Sequence, residues 1–325
     1  MAYFVGKTSD TEVAVGWDGR ARHGWFKAVS AADKLVWGAR VVGVRRTVIG
    51  LGRLVSLRLR RPPRAMVRLG SGAVMEFAVP GQVAPALVLF QDLIDPEFAL
   101  LTELSRPEWV VLDVGAAIGQ FSIFAARLPS AVVHAFEPSP ANLTTLAGNL
   151  ARNAVSDRVV VHPVAVGESE GEAPFSTADN AYMSGLVTDP GDSGATVTVA
   201  VRRLTALVDE LGLDRVDVLK INVAGYEPGV LAGAEPLLRA GRADVLVLLI
   251  GDASVEWYER CAGWGYRFFF YHPKQGRLLP VTSFDVHTLR HPAWPARHLI
   301  GVHVDAISRG VLRDVPVAET TGERR

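Results

Sequence analysis

The chain has 325 residues, 49% of them apolar and 21% charged, enough to bury one large core or one core with an annex. Acidic and basic residues number 34 each, so no net charge draws the chain towards nucleic acid or an anionic surface. The single cysteine, Cys261, excludes an internal disulfide, no C-x-x-C or Cys/His cluster offers a metal site, and no apolar run approaches the roughly 18 residues of a membrane span. A lone thiol and a start without a signal-like apolar stretch suit the cytoplasm.

In chain order, residues 1–64 read as an extension, aromatic at first and then rich in Val, Leu, Gly and Arg over 41–64, closing on Arg61-Pro62-Pro63-Arg64. That run suits a solvated helix pair covering the core. Its arginines also suit anionic lipid or a polyanionic partner, and Gly43, Gly50 and Gly52 weaken any helix there. Residues 65–108 form a lead-in, alternating over 65–79 and helically spaced over 85–104. From 109 to 306, short β-rich runs alternate with helical patterns, the mark of βαβ units and a mainly parallel sheet. Strands are expected at 109–114, 131–136, 159–166, 217–223 and 243–250, with helices at 118–128, 141–153, 204–211, 228–239 and 255–264. Two more strands, 266–271 and 297–304, close the pattern. Residues 167–198, rich in Ser, Thr, Asp and Gly around Tyr182-Met183-Ser184, read as a long loop that serves as a lid or lies idle on the surface. The tail, 307–325, is expected to be mobile.

The sharpest local pattern is VVLDVGAAIG, residues 110–119, where an apolar strand ends in Asp113 and passes through Gly115, Ala116 and Gly119 into a helix. Glycine belongs where a cofactor lies against bare backbone, and the helix start adds free N–H groups. The spacing is D-x-G-x-x-x-G rather than G-x-G-x-x-G. A carboxylate therefore stands where a dinucleotide fold places its first glycine, which argues against a pyrophosphate and against a nicotinamide oxidoreductase. The cationic methionine end of S-adenosylmethionine suits such a neighbour. Glu137 ends the next strand, where doubly wound folds place an acid that grips ribose hydroxyls, and Phe136 and Pro138 can wall an adenine.

VLDVGAAIGQFS, HAFEPSPANL, VVVHPVAVGES and VDVLKINVAGYEPGVLAGAEPLL, taken together, resemble the FkbM family of methyltransferases over about residues 70–305. The resemblance implies a class I methyltransferase fold, a Rossmann-like α/β sheet, mainly parallel with an antiparallel C-terminal edge strand. It also implies S-adenosylmethionine as donor and a hydroxyl on a small molecule or glycan as acceptor. On this mapping Asp113, Gly115, Ala116, Gly119, Glu137 and Pro138 bind the cofactor.

The departures fall mainly on the acceptor side. The family's D-V-G-A-N-I-G has an asparagine where this chain has Ala117, and its K-I-D-V-E-G-x-E reads Lys220-Ile221-Asn222-Val223-Ala224-Gly225-Tyr226-Glu227. Acids expected at 205, 222, 224 and 249 are Thr205, Asn222, Ala224 and Leu249. Methyl transfer to an alcohol needs a proton acceptor, and asparagine can hydrogen-bond an acceptor without being its base. Lys220, Asn222 and Glu227 are the catalytic candidates, with His162, His272 or His287 approaching from neighbouring loops. Two readings follow: an O-methyltransferase acting on a sugar or secondary metabolite, or a catalytically impaired relative acting as a cofactor-binding or interaction module.

Overall fold

The computed structural model describes residues 43–79, 81–82, 85–91, 97–129, 131–176, 185–186, 196–289 and 297–318, together with Val36 and Asp95. The chain enters through helix α1 (Val44–Arg60), which continues through Gly50 and Gly52 as a single helix. Gly50 is required by contact: a Cβ there would lie 2.9 Å from the Leu89 Cα. A hairpin follows, β1 (Arg64–Arg68) with β2 (Val74–Ala78), then α2 (Pro85–Phe90) and α3 (Glu97–Leu104). The helical spacing of 85–104 is thus divided between two helices, with Pro96 ahead of the second.

The core then alternates as expected. It runs β3 (Val110–Val114), α4 (Gln120–Ala126), β4 (Val132–Phe136), α5 (Pro140–Arg152), β5 (Val159–His162) and β6 (Ala165–Val166). Next come β7 (Gly171–Ser176), β8 (Gly185–Leu186), β9 (Thr196–Arg202), α6 (Leu204–Glu210), β10 (Val216–Ile221), α7 (Glu227–Arg239) and β11 (Ala243–Leu249). The chain closes with α8 (Val255–Gly263), β12 (Tyr266–His272), β13 (Arg277–Val281), α9 (Val286–Leu289), β14 (His298–His303) and α10 (Val304–Ser308).

Eight strands form the central sheet in the order β13-β12-β14-β11-β10-β3-β4-β5. The five from β11 to β5 are parallel. β14 runs antiparallel between β11 and β12, and β13 adds a second antiparallel strand at the edge. This is the class I methyltransferase arrangement, with one antiparallel strand more than the sequence led us to expect. Strand alternation sets the two faces. Val111, Val218, Val245 and Val247 point into one apolar layer with the β2 side chains Met75 and Phe77. Leu112, Val114, Leu219, Ile221, Leu246 and Leu248 point into the other, under α7.

Two expectations need correction. Residues 167–198 are not wholly loop, because β7 pairs antiparallel with β8 and β9, and β6 joins β9, in a separate small sheet. The alternating T-V-T-V-A-V of β9 carries it, burying Val199 and Val201. Tyr182, Met183 and Ser184 lie outside the described residues. The tail is not free from 307 onward either. Leu278 of β13 donates to Pro316 O and its carbonyl accepts from Ala318 N, both at 2.8 Å, and Val315 is buried.

Candidate functional site

After β3 the chain moves out to β4 and β5, then returns to add β10 and β11 on the other side. The carboxyl ends of β3 and β10 therefore form the switch point where open α/β sheets bind ligands. Lys220 of β10 stands in register with Asp113 of β3. Its Nζ lies 2.7 Å from Asp113 Oδ1 and 2.9 Å from the Gly115 carbonyl oxygen. The other Asp113 oxygen accepts from the Ser122 hydroxyl at 2.6 Å. Asp113 has no exposed surface. It holds the turn from beneath.

The turn needs its glycines. Gly115 has φ +82° and a Cβ there would sit 2.0 Å from the Asn222 carbonyl oxygen; Gly119 has φ +94° and its Cβ would meet Leu146. Ala117, between them, also has positive φ, at 49°. Gly115 N and Ala116 N both donate to Phe136 O, which fastens the turn to the end of β4. Beside the turn, the Gln120 Nε2 is buried without a hydrogen-bond partner.

Glu137 approaches the turn from above. One carboxylate oxygen accepts from Ala117 N at 2.8 Å; the other accepts from Ser139 N at 2.9 Å and Asn142 Nδ2 at 3.2 Å. Burial pushes its pKa above the ordinary glutamate value, and those three donors and the Lys220 charge only partly offset this. Pro138 leads into Ser139, which caps α5, and Pro140 opens that helix. Asp113 and Glu137 thus grip one turn from two sides. Asn149, fully buried, adds a third hold: its Nδ2 donates to Ile118 O at 2.9 Å and to Glu76 O at 3.0 Å, and its Oδ1 accepts from Glu76 N.

On the β10 side, Asn222 N donates to Val114 O, and the chain turns at Ala224 and Gly225, with φ of 56° and 99°. Glu227 is buried at the start of α7 and reaches back to accept from Val223 N at 2.9 Å. Thr205 stands apart from this group, donating to Gly233 O where α6 meets α7. Leu249 ends β11 beside His298 of β14. Among the histidines, His162 lies on the Glu137 side: its ring stacks on Phe136 at 4.7 Å, and its Nε2 is 3.0 Å from His134 Nδ1. His272 ends β12, four strands from β3. His287 lies in α9, its side chain outside the described ones. Cys261 is buried in the core with its thiol pushed up to about 12 by burial.

The model of the methyltransferase FkbM domain matches residues 113–272, from the buried aspartate to the end of β12. This segment is an FkbM methyltransferase domain. The chain is 32% identical over 160 residues to the 31-O-demethyl-FK506 methyltransferase FkbM of Streptomyces tacrolimicus, covering 40% of this chain and 61% of that protein. It is 26% identical over 159 residues to the 2-O-methyltransferase NoeI of Sinorhizobium fredii, covering 44% and 64%. It therefore spans less than two thirds of these relatives. An rRNA methylase structure from Streptococcus thermophilus aligns with a TM-score of 0.38 and 12% identity, over 64% of this chain and 93% of that one.

Within the FkbM domain, sequence reasoning placed the turn and Glu137 together and missed three supports, Ser122, Asn142 and Asn149. Ser122 follows Asp113 by nine residues, so it returns beneath the turn one helical step later. That spacing was the available signal. Asn149 offered none, because it bridges Ile118 of the turn to Glu76 of the hairpin, residues far from it in sequence.

Proposed function

We propose that this chain binds S-adenosylmethionine at the 115–119 turn and transfers its methyl group to a hydroxyl of a sugar or secondary metabolite. The observation that carries the reading is the convergence of Glu137 and a glycine turn on one another at the switch point. Fit is supported by the unpartnered Gln120 amide and a carboxylate already placed beside Ala117 N–H. In this reading Glu137 accepts the ribose hydroxyls, Phe136 and Pro138 border the base, and Gly115, Ala116 and Gly119 allow close approach. Asp113 acts through Lys220 and Gly115 to set the turn rather than touching the nucleoside.

Bound S-adenosylmethionine supplies an electrophilic methyl group open to in-line attack by an oxygen, and positioning provides much of the acceleration. Asn222, packed beside Gly115, orients the acceptor. Lys220 and Glu227 hold the two loops that carry the site. A second reading is favoured by the same contacts: Lys220 and Glu227 are engaged internally, and 222 and 224 lack acids, as in a relative that binds cofactor without turning over. Calorimetric titration with S-adenosylmethionine, followed by labelled methyl transfer to a panel of hydroxylated acceptors, separates the two. Binding with transfer supports the enzyme, binding without transfer the second reading, and no binding at millimolar cofactor overturns both.

Among the described residues no helix is long and apolar enough to cross a membrane. The partner of the site is in our reading a small molecule or glycan, in the cytoplasm. Surface attachment through α1 is supported by its exposed Val44, Val48, Leu51, Val55 and Leu59 among arginines.

A further inference from the structure

We propose that Asp95, Glu97 and His298 form a binding site for a divalent first-row transition-metal ion. His298 opens β14, and Asp95 and Glu97 stand at the start of α3. All three are buried, with 3% of His298, 2% of Glu97 and 8% of Asp95 exposed. Both ring nitrogens of His298 and the Glu97 Oε2 lack any hydrogen-bond partner. Buried polar atoms in native proteins are nearly always satisfied, so three unsatisfied atoms in one cluster point to a missing ligand.

The distances identify the kind of ligand. His298 Nδ1 lies 3.5 Å from Glu97 Oε2 and 3.6 Å from Asp95 Oδ1. A proton shared between such atoms draws them to about 2.7–3.2 Å. Two ligand atoms each roughly 2.1 Å from a tetrahedral ion stand roughly 3.4 Å apart. The three potential ligand atoms all fall within 4.8 Å of one another. Asp95 Oδ1 also accepts from Arg297 Nη1 at 2.8 Å, the kind of outer hydrogen bond that orients a ligating carboxylate. Two carboxylates and one guanidinium leave a negative charge in a buried place, which a cation offsets.

One imidazole and two carboxylates suit zinc, with manganese and iron as alternatives; the imidazole disfavours calcium and magnesium. Three protein ligands leave at least one position for water. The absence of any C-x-x-C or Cys/His spacing could not reveal this set, because its histidine and its acids come from opposite ends of the fold. His298 points to the same face of the sheet as Ile300 and the Lys220–Asp113 pair, beside Leu249 at the carboxyl edge. β14 is three strands from β3, whose end carries the 115–119 turn, so the site is roughly 14 Å from that turn at about 4.8 Å per strand. It ties the lead-in segment to β14, and stands independently of the methyltransferase reading.

The test uses the untagged full-length protein, stripped with chelator and titrated with Zn2+ by calorimetry and with Co2+ by visible absorption. One equivalent of each is expected, with d–d bands of a nitrogen and oxygen site. His298→Gln and Glu97→Gln should each lower Zn2+ affinity at least about tenfold. Failure of the wild-type protein to take up one equivalent overturns the proposal, as does unchanged affinity in both variants. Should a variant not fold, the proton spectrum of Co2+-loaded wild-type protein decides: one paramagnetically shifted imidazole supports the site, and none overturns it.

Discussion

Lys220 shows how a single side chain can tie the ends of two strands to the turn between them. Its side chain is 9% exposed, and its ammonium group lies against Asp113, which is entirely buried, and against the Gly115 carbonyl. Removing one partner of a buried pair leaves an uncompensated charge, at a cost of about 3–5 kcal/mol. Lys220→Met should lower the unfolding free energy obtained from urea titration by that amount and abolish cofactor binding, whereas Lys220→Met with Asp113→Leu should recover part of the stability but not the binding. Glu137 makes a prediction of opposite character. Its pKa is raised by burial, so the fold favours the protonated acid, and this group's contribution to stability declines as pH rises from 4.5 through the raised value. Ribose hydroxyls need the ionised form. Cofactor affinity should therefore weaken as pH falls through a value above 4.5, and calorimetry across that range should find the dependence absent in Glu137→Gln.

The 115–119 turn is the element in which sequence and structure can be compared most closely. Its glycines are legible because each has a distinct task, positive φ and close backbone approach at Gly115, positive φ and room for Leu146 at Gly119. The meaning of Ala117 was not legible. The family has asparagine there, and the residue sits at φ 49°, where asparagine is favoured over alanine for local steric reasons. Ala117→Asn should thus raise the melting temperature, by a stability gain of under about 1 kcal/mol, with cofactor affinity maintained. The parallel strands were legible because each is a short, mostly apolar run rich in Val, set between helical patterns. β7 and β13 were not, since G-E-A-P-F-S and R-L-L-P-V each contain a proline that argues against a strand; β13 is an edge strand, where proline is tolerated, and Pro174 of β7 pairs with β9 alone, just outside the two residues that meet β8. The pairing of Thr205 with Gly233, like that of Lys220 with Asp113, joins residues far apart in sequence and becomes visible only when the strands are ordered.

For the whole molecule, the sheet has two exposed ends, and they are treated differently. β5 closes one side with four residues, a short edge that offers little to an incoming strand. β13 closes the other, and there the C-terminal segment takes the free hydrogen-bonding groups of Leu278 through Pro316 and Ala318, with Val317 bridging Leu278. Arg309, just before that segment, donates to both oxygens of Asp244 at 2.7 Å and so fixes its approach across the start of β11. A chain ending after Asp314 would keep the Arg309–Asp244 contact and the FkbM domain but lose the cover over Leu278. The uncovered strand presents apolar Leu278 and Leu279 beside open backbone groups, the condition under which sheets pair edge to edge. Light scattering on the truncated protein should show concentration-dependent association that the full chain lacks, while cofactor binding at the distant 115–119 turn is retained. A mass unchanged from that of the full chain over the same range would mean that the C-terminal segment does not guard the edge.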